Sequence, residues 1–125
     1  MDERESLDAF GRVVTTSLRD AGIKDGDSLL AGKWRAPSLQ KLQAALAEFT
    51  PEQRDVVRRV VVEVMTAATH DFLFALQEAC DSEQMRILVK DADIAKRSDG
   101  FHGEIFGEKG WFARFSAYGA PPEEA

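Results

Sequence analysis

One long helical run constrains this chain more than any other feature. Thr50-Pro51-Glu52-Gln53 places a hydroxyl at the N-cap, proline at the first helical position and glutamine at the third. Cap and glutamine can therefore exchange hydrogen bonds at an end where backbone N–H groups lack partners. Glu52 and Asp55 suit the positive end of the helix dipole. The helical pattern then continues to Ala79 or so, roughly 29 residues and roughly 43 Å at the rise of an α-helix. Val57, Val60, Val61, Val64, Ala68 and Phe72 are expected on one side, with Leu73 and Phe74 projecting elsewhere. The second half is thus apolar nearly all round, as in a helix covered on several sides. This is the expected central element. Asp71 breaks the pattern, because it follows Val64 by seven residues and an uninterrupted helix aims it at the apolar face. A bare carboxylate there is costly. Alternatively the helix breaks near Thr69-His70, and Asp71 caps a second helix that begins at Phe72.

Two narrower helices precede it. Leu7, Phe10, Val14, Leu18 and Ala21 make a thin stripe that stops at Gly22, with Asp25-Gly26-Asp27-Ser28 as a turn. Residues 29–36 are ambiguous. Pro37 and Ser38 open the second helix, in which Leu39, Leu42, Leu46 and Phe49 repeat the thin stripe. After Met85 the period changes from helical to alternating. Met85, Ile87 and Val89 read as a half-buried strand, Asp91-Ala92-Asp93 as a turn, and residues 94–96 as a short strand. Residues 101–106 and 111–115 are expected to form a hairpin across Gly107-Glu108-Lys109-Gly110. The expected class is α+β. Three N-terminal helices, the third long and central, precede a small C-terminal antiparallel β-meander. Residues 1–120 are expected as one domain and 121–125 as a loose tail.

Charge and composition narrow the function classes. A net charge of -6 and a pI near 4.9 argue against nucleic acid or anionic lipid as the main partner. No stretch approaches the roughly 20 uninterrupted apolar residues of a membrane span, since Arg58, Arg59 and Glu63 interrupt residues 56–68. The acidic start, Met-Asp-Glu-Arg-Glu-Ser, is unlike a signal peptide. With Cys80 as the single cysteine, no internal disulfide or thiolate zinc site can form, and a reducing cytoplasm is expected. No cation neighbours Cys80 in sequence to activate its thiol.

Motifs with known chemistry are missing. There is no phosphate-binding glycine pattern, and Gly100, Gly103, Gly107 and Gly110 read as turns or bulges. Asp91-x-Asp93 starts like a calcium loop, but the turn glycine and the closing glutamate are absent. His102 and Glu104 share a face of the expected strand and lack a third metal ligand nearby. His70 and Asp71 diverge by about 100° on a helix, which argues against a catalytic pair. No serine lies in a nucleophile-elbow context. No catalytic residue and no cofactor are expected.

Aromatic clustering is the more informative signal. Phe101, Phe106, Trp111, Phe112, Phe115 and Tyr118 hold more than half of the chain's aromatics within its last quarter. On strands they would face both sides of the sheet, so some would remain exposed for a partner. The candidate binding residues are therefore Trp111, Phe112, Phe106, Arg114, Glu104 and His102. Residues 51–84 carry three arginines against seven acids, which favours a basic protein partner. The expected function is a noncatalytic protein-interaction module. Replacing Trp111 or Phe112 by alanine is then expected to weaken capture and spare the fold. The alternative is a small-ligand binder or enzyme with a pocket between the long helix and the sheet, using His102, Glu104, His70 and Asp71. A homodimer is a third expectation, because the long helix offers more apolar surface than two thin-striped helices cover.

The segment Ser98-Asp99-Gly100-Phe101-His102-Gly103-Glu104-Ile105-Phe106-Gly107-Glu108-Lys109-Gly110-Trp111-Phe112-Ala113-Arg114-Phe115-Ser116 resembles the closing signature of a small bacterial family of unknown function. Together with His70-Asp71-Phe72-Leu73-Phe74 it is also similar to compact acidic proteins that act as immunity partners of secreted toxins. The resemblance covers about a third of the chain. It implies a bacterial cytoplasmic protein that binds another protein, and it brings no catalytic residue with it.

Overall fold

A computed structural model describes residues 2–121. The expected tail beyond Pro121, residues 122–125, lies outside the described residues. Helix α1 (Glu3–Val14) begins at Asp2, whose carboxylate accepts from the Glu5 N–H at 2.7 Å. It runs without a break through a π-helical turn (Thr15–Arg19) into α2 (Asp20–Leu30). The expected stop at Gly22 and turn at residues 25–28 are therefore corrected, since both lie inside α2. The wider π-turn inserts a residue and rotates the following face. That rotation carries Thr15, Arg19 and Asp20 inward, where the thin stripe had placed Leu18 and Ala21. A 3-10 turn (Pro37–Leu39) leads into the short α3 (Gln40–Ala47).

The capping box that opens α4 (Pro51–Asp81) is present as read from the sequence. Gln53 N–H donates to Thr50 Oγ1 at 3.2 Å, and Thr50 N–H donates to Gln53 Oε1 at 2.8 Å. The helix is continuous through His70-Asp71. Asp71 is 81% exposed in mid-helix, so the face assigned from sequence is the wrong one. The buried residues of α4 are Thr66, Thr69, Leu73 and Gln77. Val56, Val60, Val64 and Phe72 are 52%, 54%, 56% and 49% exposed. Polar partners explain the inversion. Thr66 accepts from Arg19 Nε at 3.1 Å, while Gln77 accepts from the Phe101 N–H at 3.0 Å and donates to the Ala95 carbonyl at 3.3 Å. Buried backbone and guanidinium groups need such partners, and this face of α4 supplies them. By length and composition α4 could also cross a membrane, with an 18-residue window of mean hydropathy 1.2 of which 22% is buried.

α2 packs antiparallel along the first half of α4. Gly22 and Gly26 let the helices approach so closely that a Cβ on either would run into Met65 or Val61. Arg58 ties the same seam through its Nε to Asp27 Oδ1 at 2.8 Å, and Arg54 donates to the Leu30 and Leu46 carbonyls. The C-terminal segment covers the other end, and there the main core forms from Leu7, Val14, Leu73, Ile94, Ala95, Phe101, Ile105, Trp111 and Phe112.

That segment holds little sheet. β1 (Leu88–Val89) and β2 (Ala92–Asp93) pair antiparallel, with Leu88 opposite Asp93 and Val89 opposite Ala92. Lys90 and Asp91 both have positive φ, 51° and 70°, which makes a tight two-residue turn one position earlier than expected. Residues 94–96, expected as a strand, lie in a 3-10 turn (Ile94–Arg97). The expected hairpin of residues 101–115 is also corrected. Phe101–Gly103 is a 3-10 turn and α5 (Trp111–Phe115) is a short helix. A helical turn buries Trp111 and Phe112 together, whereas a strand would point them to opposite faces. The architecture is α+β in outline: mostly helical, with a long central helix and a two-stranded antiparallel sheet. Four α-helices stand where three were expected before residue 82, and α5 adds a fifth.

Candidate interaction surface

The structure separates the six residues singled out from the sequence into three environments. Trp111 and Phe112 are wholly buried and cannot meet a partner on the surface. Trp111 packs against Gly11, and its indole N–H donates to Asp8 Oδ1 at 3.2 Å. Phe112 lies under the Arg19 guanidinium, 4.4 Å from its ring centre. These rings hold the C-terminal segment onto α1. The expectation that their loss spares the fold is therefore corrected.

Arg114 and Glu104 belong to a surface ion network. Arg114 forks onto Asp8 with N–O distances of 2.9 and 3.0 Å. Arg4 bridges Asp8 at 3.1 Å and Glu104 at 3.3 Å, and Glu104 also accepts from Ser98 at 3.1 Å. The Arg114 hydrogen bonds hold the Asp8 carboxyl below the usual carboxylate range, with Trp111 and Arg4 adding and burial opposing. Both residues are engaged in closing the fold.

Phe106 and His102 form the third environment, beside α4. His102 packs edge-on against His70 and Phe74, at ring separations of 5.5 and 5.0 Å, and Phe106 stacks on His70 at 6.2 Å. Phe106 and Phe74 are close to half exposed. Among the described residues His102 Nδ1, which is buried, has no hydrogen-bond partner. His70 Nδ1 lies 3.2 Å from Asp71 Oδ1, so these neighbours do meet, contrary to the divergence argument. Glu104 is held elsewhere, and the four polar groups proposed for a pocket do not converge. Among the described residues no three His, Cys, Asp or Glu side chains are grouped to hold a metal.

A cleft of about 570 Å³ does lie between the end of α4 and the hairpin, lined by Cys80, Asp81, Met85, Arg86, Asp93 and Lys96. Burial pushes the Cys80 thiol up, and Asp93 and Asp81 push it further. At neutral pH it is a thiol and a poor nucleophile.

Sequence reasoning took the most exposed apolar surface for core. The outward face of α4 carries Val56, Val60, Val64, Phe72 and Phe74, with Ala67, Ala68 and Ala75 exposed among them. A groove of about 720 Å³ runs beside its first half, with Arg59, Glu63, Tyr118 and Pro121 in its walls. The valines at spacing four were legible, and so was Asp71 among them as the mark of an outer face. Comparison of the chain with family models, with curated proteins and with solved structures found no match.

Proposed function

We propose that this chain is a noncatalytic protein-interaction module whose contact surface is the outward face of α4. The observation that carries the reading is the half-exposed run Val56, Val60, Val64, Phe72 and Phe74 along one helix. Scattered apolar residues are ordinary on a protein surface, but Val56, Val60 and Val64 line up with exposed Ala67, Ala68 and Ala75 as one stripe, and a stripe of this length marks a binding face. Phe106 extends the patch across the C-terminal segment. The narrower form of the proposal is an immunity-type protein that holds a basic toxin. It draws on the net charge of -6 and on Asp71, Glu78 and Asp81, the acids of the second half of α4.

Site-specific photocrosslinking in cells tests the reading. A photoreactive residue at Val64 is expected to give discrete protein-sized adducts, and one at Val13, equally exposed on α1, none. Equal labelling from both positions, or none from Val64, would overturn it.

A second reading, small-ligand binding, is favoured by the cleft between α4 and the hairpin. Native mass spectrometry of the purified chain would then show a stoichiometric extra mass that Lys96→Glu removes.

A further inference from the structure

Charges of both signs line the cleft between the end of α4 and the hairpin, and their balance points to a ligand class. The last turn of α4 holds no basic residue, so the negative end of its dipole meets Glu78 and Asp81 where a cation would be favourable. The chain leaves the helix at Glu83, whose N–H donates to the Cys80 carbonyl at 3.1 Å, while the Gln84 N–H donates to the Ala79 carbonyl at 3.0 Å. Glu83 has φ 63°, the left-handed position that glycine usually fills at such an end. A side chain is strained there, and this one puts a carboxylate in the wall of the cleft. Asp93, from β2, adds another; burial raises the Cys80 thiol, and Asp93 and Asp81 raise it further. The same wall holds Arg86, ahead of β1, and Lys96, in the 3-10 turn after β2. Among the described residues none of these five charged side chains belongs to an ion pair, although all line one concavity. Asp81 accepts a hydrogen bond from the neutral Gln77 at 3.0 Å.

We infer, on the reading of this cleft as a small-ligand site, that its ligand is a basic α-amino acid of the lysine or arginine type. Arg86 and Lys96 hold the carboxylate, and Asp81, Glu83 and Asp93 take the two cationic groups. Three carboxylates against two cations leave the wall with one negative charge in excess, which a ligand with one net positive charge neutralises. A neutral amino acid leaves one carboxylate unmatched, and an acidic one adds to the excess. A plain diamine satisfies the acids but brings no anion to Arg86 and Lys96. The guanidinium of Arg86 offers the fork that matches a carboxylate. Met85, Ala95 and the neutral thiol of Cys80 supply apolar surface for the methylene chain. The negative end of the α4 dipole strengthens the hold on the cations. A volume of about 570 Å³ falls within the roughly 300–1,000 Å³ of small-molecule sites.

Titration of the full chain with L-lysine, followed by amide NMR at constant pH and ionic strength, tests this directly. The amides of residues 80–86 and 93–96 are expected to shift along a saturating curve with its midpoint below about 1 mM. Cadaverine, which lacks the carboxylate, and L-glutamate, which lacks the second cation, are each expected to bind at least about tenfold more weakly. Arg86→Gln should weaken L-lysine by at least about tenfold and leave far-UV circular dichroism unchanged, because Arg86 is exposed. Glu83→Gly separates binding from folding. It relieves the left-handed position, so the melting temperature should rise while affinity for L-lysine falls severalfold. No shift at about 10 mM L-lysine, or shifts confined to residues outside the cleft, overturns the inference. So does equal binding of cadaverine or L-glutamate, or full affinity in both Arg86→Gln and Glu83→Gly. If native mass spectrometry shows an extra mass that Lys96→Glu removes while L-lysine gives no shift, the ligand class falls and the cleft remains a site. Absence of both the mass and the shift removes the small-ligand reading itself.

Discussion

Gly11→Ala sets two magnitudes of opposite sign against each other. Helix propensity alone favours alanine in a helix interior by about 1 kcal/mol. The packing opposes it, because a Cβ at position 11 overlaps Cδ2, Cε2 and Nε1 of Trp111. The indole has no room to step aside. It is wholly buried, is held by Asp8 through its N–H, and lies edge-on to Phe10 at 6.1 Å. Relief requires moving α1 off the ring or driving the ring out of the core. Forcing one methyl into a packed interior costs about 1–3 kcal/mol, and losing the whole tryptophan about 3–5 kcal/mol. With the propensity gain subtracted these become about 0–2 and about 2–4 kcal/mol, so the expected net loss is about 2 kcal/mol. For a chain of this length that is a fall in melting temperature of roughly 8 °C. Urea unfolding followed by circular dichroism and by tryptophan emission measures it. Protein concentration is held fixed, because association shifts apparent stability. Gly103→Ala is the control, since a Cβ there meets nothing within 4 Å. In a Trp111→Leu background the cost of Gly11→Ala should fall by more than half. An increase in stability, or an undiminished cost beside Leu, would refute the seating of Trp111 on Gly11.

Two further substitutions probe the polar contacts that close the fold. Ionised Asp8 is held by Arg114, Trp111 and Arg4, and its folded-state pKa is depressed. It therefore stabilises the fold above the unfolded value near pH ~4, and that contribution disappears as pH falls through the lower folded value. Asp8→Asn should cost about 1–2 kcal/mol at neutral pH and progressively less in acid, read from urea midpoints; a gap independent of pH would contradict this. Arg19 is 1% exposed and donates to Thr66, Ser116 and the Gly119 carbonyl. Arg19→Lys keeps the charge and loses the fork, so about 2 kcal/mol should be lost and amide exchange over residues 116–120 should quicken. Unchanged exchange there would show that Arg19 does not clasp the C-terminal segment.

The loss of the exposed hairpin traces to one local choice. As alternating strand residues Trp111 and Phe112 would point to opposite sides, one of them outward. In α5 both turn inward, and Arg19 and Asp8 complete their surroundings. Neither contact is visible in the sequence, since Asp8 lies 103 residues from Trp111. Phe106, which does face out beside them, and the half-buried His102 meet His70 and Phe74 of α4. That juxtaposition depends on how the last segment folds back over the long helix.

By itself the sequence determined what short-range physics controls. The capping box at Thr50 and Gln53, the length of α4 and its excess of apolar surface all follow from residues within a few positions of one another. So does the antiparallel turn after Val89, within one residue. Only the tertiary structure decided which face of α4 is inside. An apolar-periodicity argument assumes that the most apolar face goes to the core, and here that assumption met a competing demand. The guanidinium of Arg19 and the backbone groups of Ala95 and Phe101 had to be satisfied on burial. Thr66 and Gln77 were the side chains of α4 able to do so. The valines were left facing water, and the exposed apolar face of α4 is the consequence.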